Sequence, residues 1–333
     1  MTNKFIFVYF IDDKMLDPQI GMFADLGMQK NVEFLPVFKR YTNAVMRFLI
    51  KIIFSRKLNM IFKNPLKKYF YTFDKFKINK TKNIYFIIPT MSLTKIDIDY
   101  LKKIKKENEN AKLVLLILDS LNASSMHLKC LDNKIYDKVW DLILTFDEND
   151  AQKYKFHYLG YSYYSSFYEI EASDKISDIY YIGLLKGNRE PLIASIYDEC
   201  LKNGLKPNIN IVSQIRKKIN NSNLTTITKH KTYPEVISAI KSTNCILEVL
   251  QEGQVSQSIR YFEAVVYNKK LLSNNPNLEK LPFYDERYMK YFEKVEDIDW
   301  EWIAKREDID YKYDNEFSPI HMLEQIEKYF ERK

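Results

Sequence analysis

The stretch Cys245-Ile246-Leu247-Glu248-Val249-Leu250-Gln251-Glu252-Gly253-Gln254-Val255-Ser256-Gln257-Ser258-Ile259-Arg260-Tyr261-Phe262-Glu263-Ala264 decides the fold. Cys245–Leu250 is a short apolar run of strand length, the pattern of a strand buried on both faces. A loop carrying Gly253 follows. Ile259, Phe262 and Val266 then recur at helical spacing, with Ser256, Arg260 and Glu263 on another face. Strand, glycine loop and helix in this order form one half of a βαβ unit. In a parallel sheet, that loop and helix start lie at the carboxyl edge, where open α/β sheets bind ligands. Free N–H groups at the helix start favour a phosphate there.

The same alternation extends outward in both directions. Apolar runs recur at Phe5–Ile11, Ile84–Ile88, Leu113–Leu118, Leu142–Phe146, Ile179–Gly183, Asn208–Val212 and Lys270–Leu272. Helical spacing fills Pro191–Leu201, Tyr233–Ser242 and Ser256–Tyr267, and Pro319–Phe330 carries a final helical stripe. Strands alternating with helices indicate parallel sheets. A chain of 333 residues accommodates two such domains. The tyrosine-rich segment 161–168 and the polar stretch after it separate two sets of strands. The expected division is 1–170 and 171–333, with the tyrosines packing where the domains meet.

Composition sets further bounds. Hydrophobic residues make up 46% of the chain, enough for real cores and too much for global disorder. Cys130, Cys200 and Cys245 are scattered and odd in number, which predicts a reducing compartment and no cysteine-built metal site. No uncharged apolar run is long enough to span a bilayer. The Walker and dinucleotide glycine fingerprints, HExxH and GxSxG are all missing.

Charge is concentrated in one place. Residues 39–82 hold thirteen cations against the single acid Asp74, a local balance of +12, while the whole chain is only +7. Phe48, Leu49, Ile52, Phe54 and Phe62 are interleaved with Lys51, Arg56, Lys57 and Lys63. Cations mixed with large apolar groups suit an anionic membrane surface. A solvated basic face is the plainer alternative. A nucleic-acid-binding role for this segment would need a recognisable module, and none is present.

The loop–helix stretch resembles the donor-site region of GT-B glycosyltransferases. More narrowly, it resembles bacterial lipopolysaccharide and capsule biosynthesis proteins with a Gly-Gln…Arg-x-x-Glu-Ala signature. Leu118-Asp119-Ser120, Thr145–Ala151, Tyr181-Ile182-Gly183 with Arg189-Glu190, Lys269–Asn275 and Phe283-Tyr284-Asp285 follow that family's order over about residues 110–300. The resemblance implies two Rossmann-like domains of GT-B type with a cleft between them and a C-terminal helix. It implies transfer of a sugar from a nucleotide-sugar to a lipid-linked or surface glycan, as in lipopolysaccharide, O-antigen or capsule synthesis. It implies a peripheral protein at the cytoplasmic face of the bacterial plasma membrane, with the nucleotide-sugar as co-substrate and no separate cofactor or metal.

By position, Gly183, Arg189, Gly253, Gln254, Ser256, Arg260 and Glu263 become donor-binding residues. Ser256 stands where the family pattern has a small glycine. Asp119, Asp13 and His127 are the candidates for a catalytic base, each equally readable as a cap or turn residue. Two other functions fit the same residues: a non-catalytic nucleotide-sugar-binding scaffold of a polysaccharide assembly, and a nucleic-acid-binding protein.

Overall fold

A computed structural model describes residues 3–9, 21–39, 41–55, 58, 64–72, 83–121, 132–161, 164–165, 168–184, 189–213, 215–219, 222–250 and 257–332. The chain divides into two compact units. The first holds Phe23–Tyr161, the first strand and Met322–Lys333; the second holds Ser162–His321.

The first unit is a six-stranded sheet of β1 (Lys4–Tyr9), β2 (Val32–Pro36), β3 (Ile84–Pro89), β4 (Ala111–Ile117), β5 (Leu142–Thr145) and β6 (His157–Tyr158), in the order β2-β1-β3-β4-β5-β6. Every pairing is parallel, with Phe7 opposite Phe34 and Ile87, and Ile87 opposite Val114. The whole of β3 is buried, as a strand covered on both faces must be. Helix α1 (Ala44–Ile53) turns Ile50 and Ile53 into the core, and α2 (Ile98–Glu107) turns in Tyr100, Leu101 and Ile104. Helix α3 (Glu148–Tyr154) starts at Asp147, whose carboxylate accepts from Asp150 N.

The second unit is a five-stranded sheet of β7 (Ser177–Leu184), β8 (Pro207–Val212), β9 (Thr243–Glu248), β10 (Lys270–Ser273) and β11 (Met289–Tyr291), in the order β11-β10-β9-β7-β8. It too is wholly parallel. Helices α4 (Arg189–Lys202), α5 (Tyr233–Lys241) and α6 (Ile259–Val266) connect its strands. A capping box between Thr232 and Glu235 starts α5.

Counted from its own first strand, each sheet has the order second, first, third, fourth, fifth, with a sixth strand added in the first sheet. This is a doubly wound, Rossmann-like order whose direction reverses between the first and third strands. The α/β class and the eight strands expected from apolar runs are present. The sequence reading passed over β2, β6 and β11, all at or next to a sheet edge. The last two span only two and three residues, and β2 carries Glu33 and is half-buried throughout.

Two features differ from expectation. The units divide between Tyr161 and Ser162 rather than at residue 170, because Tyr164 is already built into the second unit. It is fully buried, its amide donates to Phe317 O at 2.9 Å, and its ring lies parallel to Phe262. The C-terminal helix α7 (Ile320–Glu331) belongs mainly with the first unit. Asn3 Nδ2 donates to Glu327 Oε1 at 2.8 Å, Gln325 Nε2 donates to Leu159 O at 3.2 Å, and Phe330 packs on Tyr85.

Candidate functional site

The reversal of the second sheet lies between β7 and β9, so the chain leaves these neighbouring strands in opposite directions. In open α/β sheets the carboxyl ends of such a strand pair are where ligands bind. Four of the expected donor residues fall at or just beyond these strand ends.

Gly183 sits near the end of β7. A Cβ there would lie 2.4 Å from the Tyr181 hydroxyl, so the glycine makes room for the ring two residues earlier on the same face. Arg189 opens α4. Its Nη1 donates to Val249 O at 3.1 Å and its Nη2 to Leu184 O at 3.4 Å. One guanidinium therefore ties the last residue of β7 to the residue after β9. Burial raises the phenol pKa of Tyr181, while the charges of Arg189 and Arg260 oppose the rise. Both arginines thus act on the same end of β7.

The end of β9 is fixed by a residue the sequence reading passed over. Glu248, fully buried, accepts from Ser258 N at 2.9 Å and Ser258 Oγ at 2.6 Å, and its other oxygen accepts from Ser273 Oγ. Burial raises its pKa, opposed by these hydrogen bonds. Ser258 also caps α6, its Oγ accepting from Arg260 N at 3.1 Å. Asn274 Oδ1 accepts from Leu250 N at 2.7 Å. The tips of β9 and β10 and the start of α6 are therefore held as one polar frame. Its only sequence signal is an acid closing an otherwise apolar strand.

Arg260 and Glu263, placed on one face by their spacing, form an ion pair, and that face is enclosed. Tyr261, Phe262, Glu263, Ala264 and Val265 are all buried, so α6 is enclosed almost all round, and Ile259, Arg260 and Val266 are the half-buried ones. Glu263 is fully enclosed and the Arg260 side chain is 14% exposed. Around them stand Tyr180, Tyr164 and Tyr233, the last two joined through their hydroxyls. Burial pushes the Glu263 carboxyl up to about 7, with Arg260 pulling it down. Glu263 Oε1 and Tyr180 Oη have no hydrogen-bond partner among the described residues.

Gly253, Gln254 and Ser256, expected in the same loop, lie outside the described residues, as do Asp13, His127, Arg56, Lys57 and Lys63. Asp119 is exposed just after β4, at the carboxyl edge of the first sheet, and Lys51 is exposed on α1. Among the described residues no group of three His, Cys, Asp or Glu side chains is placed to hold a metal ion.

No protein-family model and no curated protein sequence matches the chain. Among solved structures, it is similar to a UDP-N-acetylglucosamine 2-epimerase from Rickettsia bellii. That match has 11% identity over 83% of this chain and 80% of that one, with a TM-score of 0.39. It is also similar to the glycosyltransferase SnogD from Streptomyces nogalater, at 7% identity over 84% of each chain, with a TM-score of 0.35.

Proposed function

We propose that the chain is a glycosyltransferase of GT-B type that binds a nucleotide-sugar at the carboxyl ends of β7 and β9. The observation that carries this reading is Arg189, a cation bonded to the last residue of β7 and to the residue after β9, where the sheet order reverses. A diphosphate fits that position: the guanidinium and the first amides of α6 are complementary to its charge. The frame of Glu248, Ser258 and Ser273 fixes where those amides point. Arg260 adds positive charge, and Glu263, enclosed behind it, holds the Arg260 guanidinium and acts on the donor through it. The Arg-x-x-Glu-Ala signature supports the same assignment.

On this reading the acceptor is a lipid-linked or surface glycan of lipopolysaccharide, O-antigen or capsule synthesis. The protein meets it at the inner face of the bacterial plasma membrane. Asp119 is the described candidate for the base that takes the acceptor hydroxyl's proton.

The test is a thermal-shift panel of nucleoside diphosphates and nucleotide-sugars. A ligand at a hundredfold its Kd adds about 2.7 kcal/mol, a rise of several degrees. One nucleotide family should raise the melting temperature, and Arg189→Ala should abolish most of the rise. A flat response across the panel overturns the proposal.

A further inference from the structure

The segment between β2 and β3 begins and returns at the carboxyl edge of the first sheet. Val37 N donates to Tyr9 O at 2.8 Å, Thr72 N donates to Val37 O at 3.3 Å, and Phe38 and Tyr71 form an antiparallel bridge. Helix α1 lies within this insert, started by Asn43, whose side chain accepts from Val45 N at 2.8 Å and Met46 N at 3.3 Å.

A helix on the surface of a globular protein has one apolar stripe, turned to the core. Helix α1 has two. Ile50 and Ile53 enter the core. Val45, Phe48, Leu49 and Ile52 form a second stripe that is open to solvent, with Val45 66% and Phe48 63% exposed. Arg47 and Lys51, four residues apart, run along its edge and are also exposed. On the turn Pro65–Tyr69 of the same insert, Leu66 and Tyr69 are exposed next to Lys68. The forty-four residues 39–82 hold a single acid, and on that turn Lys67 is paired with Asp97 from outside the segment.

We infer that α1 is an interfacial anchor that lays Val45, Phe48, Leu49 and Ile52 into the headgroup region of an anionic bilayer, with Arg47 and Lys51 on lipid phosphates. An exposed apolar stripe of this size marks a contact surface. The charge around it selects the partner. Two copies meeting through this face about a twofold axis would bring Arg47 and Lys51 close to their own counterparts. A lipid surface supplies apolar depth and negative charge together. The insert stands at the ligand-binding edge of the first sheet, so the anchor would set that edge against the membrane. The inference shares the membrane location of the proposed function but none of its donor chemistry. Vesicle binding can therefore fail while nucleotide binding succeeds, and the reverse.

The experiment is co-sedimentation of the full chain with vesicles of phosphatidylcholine alone or mixed with phosphatidylglycerol, at low and high salt. Sedimentation velocity of the protein alone accompanies it. Wild type should bind the mixed vesicles and leave the neutral ones. R47Q/K51Q should bind about 25-fold more weakly, at roughly fivefold per cation. F48S/L49S/I52S should lose the binding that persists at high salt and stay folded with a modestly lower melting temperature, since Phe48 is 63% exposed but Leu49 and Ile52 only 41% and 39%. Equal binding to both vesicle types, binding to neither, or undiminished binding by the serine variant overturns the inference. So does a wild-type dimer that the serine variant dissociates, since the face would then belong to a second copy. A serine variant that fails to fold also overturns it, because the stripe would then be packed rather than free.

Discussion

Glu263→Gln is a perturbation whose consequence follows from the second unit alone. The wild-type carboxyl is enclosed and titrates at about 7 against an ordinary value of 4.5, burial being the main cause and Arg260 opposing it. An acid whose pKa rises on folding binds its proton more tightly in the native chain. Its contribution to stability is therefore fully present below about pH 4.5 and is lost as the pH rises through about 7. At roughly 1.4 kcal/mol per pH unit, the loss over that window is about 3 kcal/mol. Glutamine keeps the shape and removes the titration. Like the protonated carboxyl, it carries no charge for Arg260, so the two proteins differ least below about pH 4.5. The difference in stability, wild type minus Glu263→Gln, should therefore fall by about 3 kcal/mol from pH 4.5 to above pH 7 and then level off. Urea unfolding at several pH values, followed by tryptophan fluorescence, measures it. A Trp140→Phe background leaves Trp300 and Trp302, both in the second unit, as reporters. Parallel profiles for the two proteins would refute the reasoning. A difference that grows with pH would mean that Arg260 outweighs burial.

Ser258→Ala removes the α6 cap and the hydroxyl's hydrogen bond to Glu248, leaving the backbone one in place. It should destabilise the second unit by about 2 kcal/mol, read as a lower urea midpoint. Ile326→Ala empties a fully buried position on α7. It should cost about 2–5 kcal/mol, and Trp140 fluorescence should report the loss in the first unit while Trp300 and Trp302 report little change.

The interior strands were legible in the sequence because each is a continuous run of large apolar residues, and a strand buried on both faces needs that composition. Helix α5 was legible from Tyr233–Ser242 at helical spacing. The missed edge strands carry no such signature: β11 is three residues, and β2 pairs with a single neighbour and tolerates Glu33, whereas the edge strand β8 keeps enough apolar residues in Asn208–Val212 to be read. The donor region was found as strand, loop and helix. The enclosure of Arg260 and Glu263 was not, because i,i+3 spacing states that two residues share a face and not what covers it. Tyr164 and Tyr180, which help to cover them, are distant in sequence. Glu248 escaped notice because a buried acid and an exposed one read alike until Ser258 and Ser273 are seen bonded to it.

Helix α7 ties the order of synthesis to the order of folding. The first unit contains residues on both sides of a 160-residue excursion, from Ser162 to His321. A ribosome adding about 5–20 residues per second takes roughly 10–30 s to cross it. Throughout that time the nascent first unit lacks Met322, Leu323 and Ile326, the side chains α7 buries. The second unit can close on itself before the first is complete. The first unit therefore has all of its residues only after the whole of the second has been synthesised. A gene fragment ending near Tyr161 would encode a sheet with all six strands and one uncovered apolar face. Expressing the first unit alone would require α7 to be joined back by a linker.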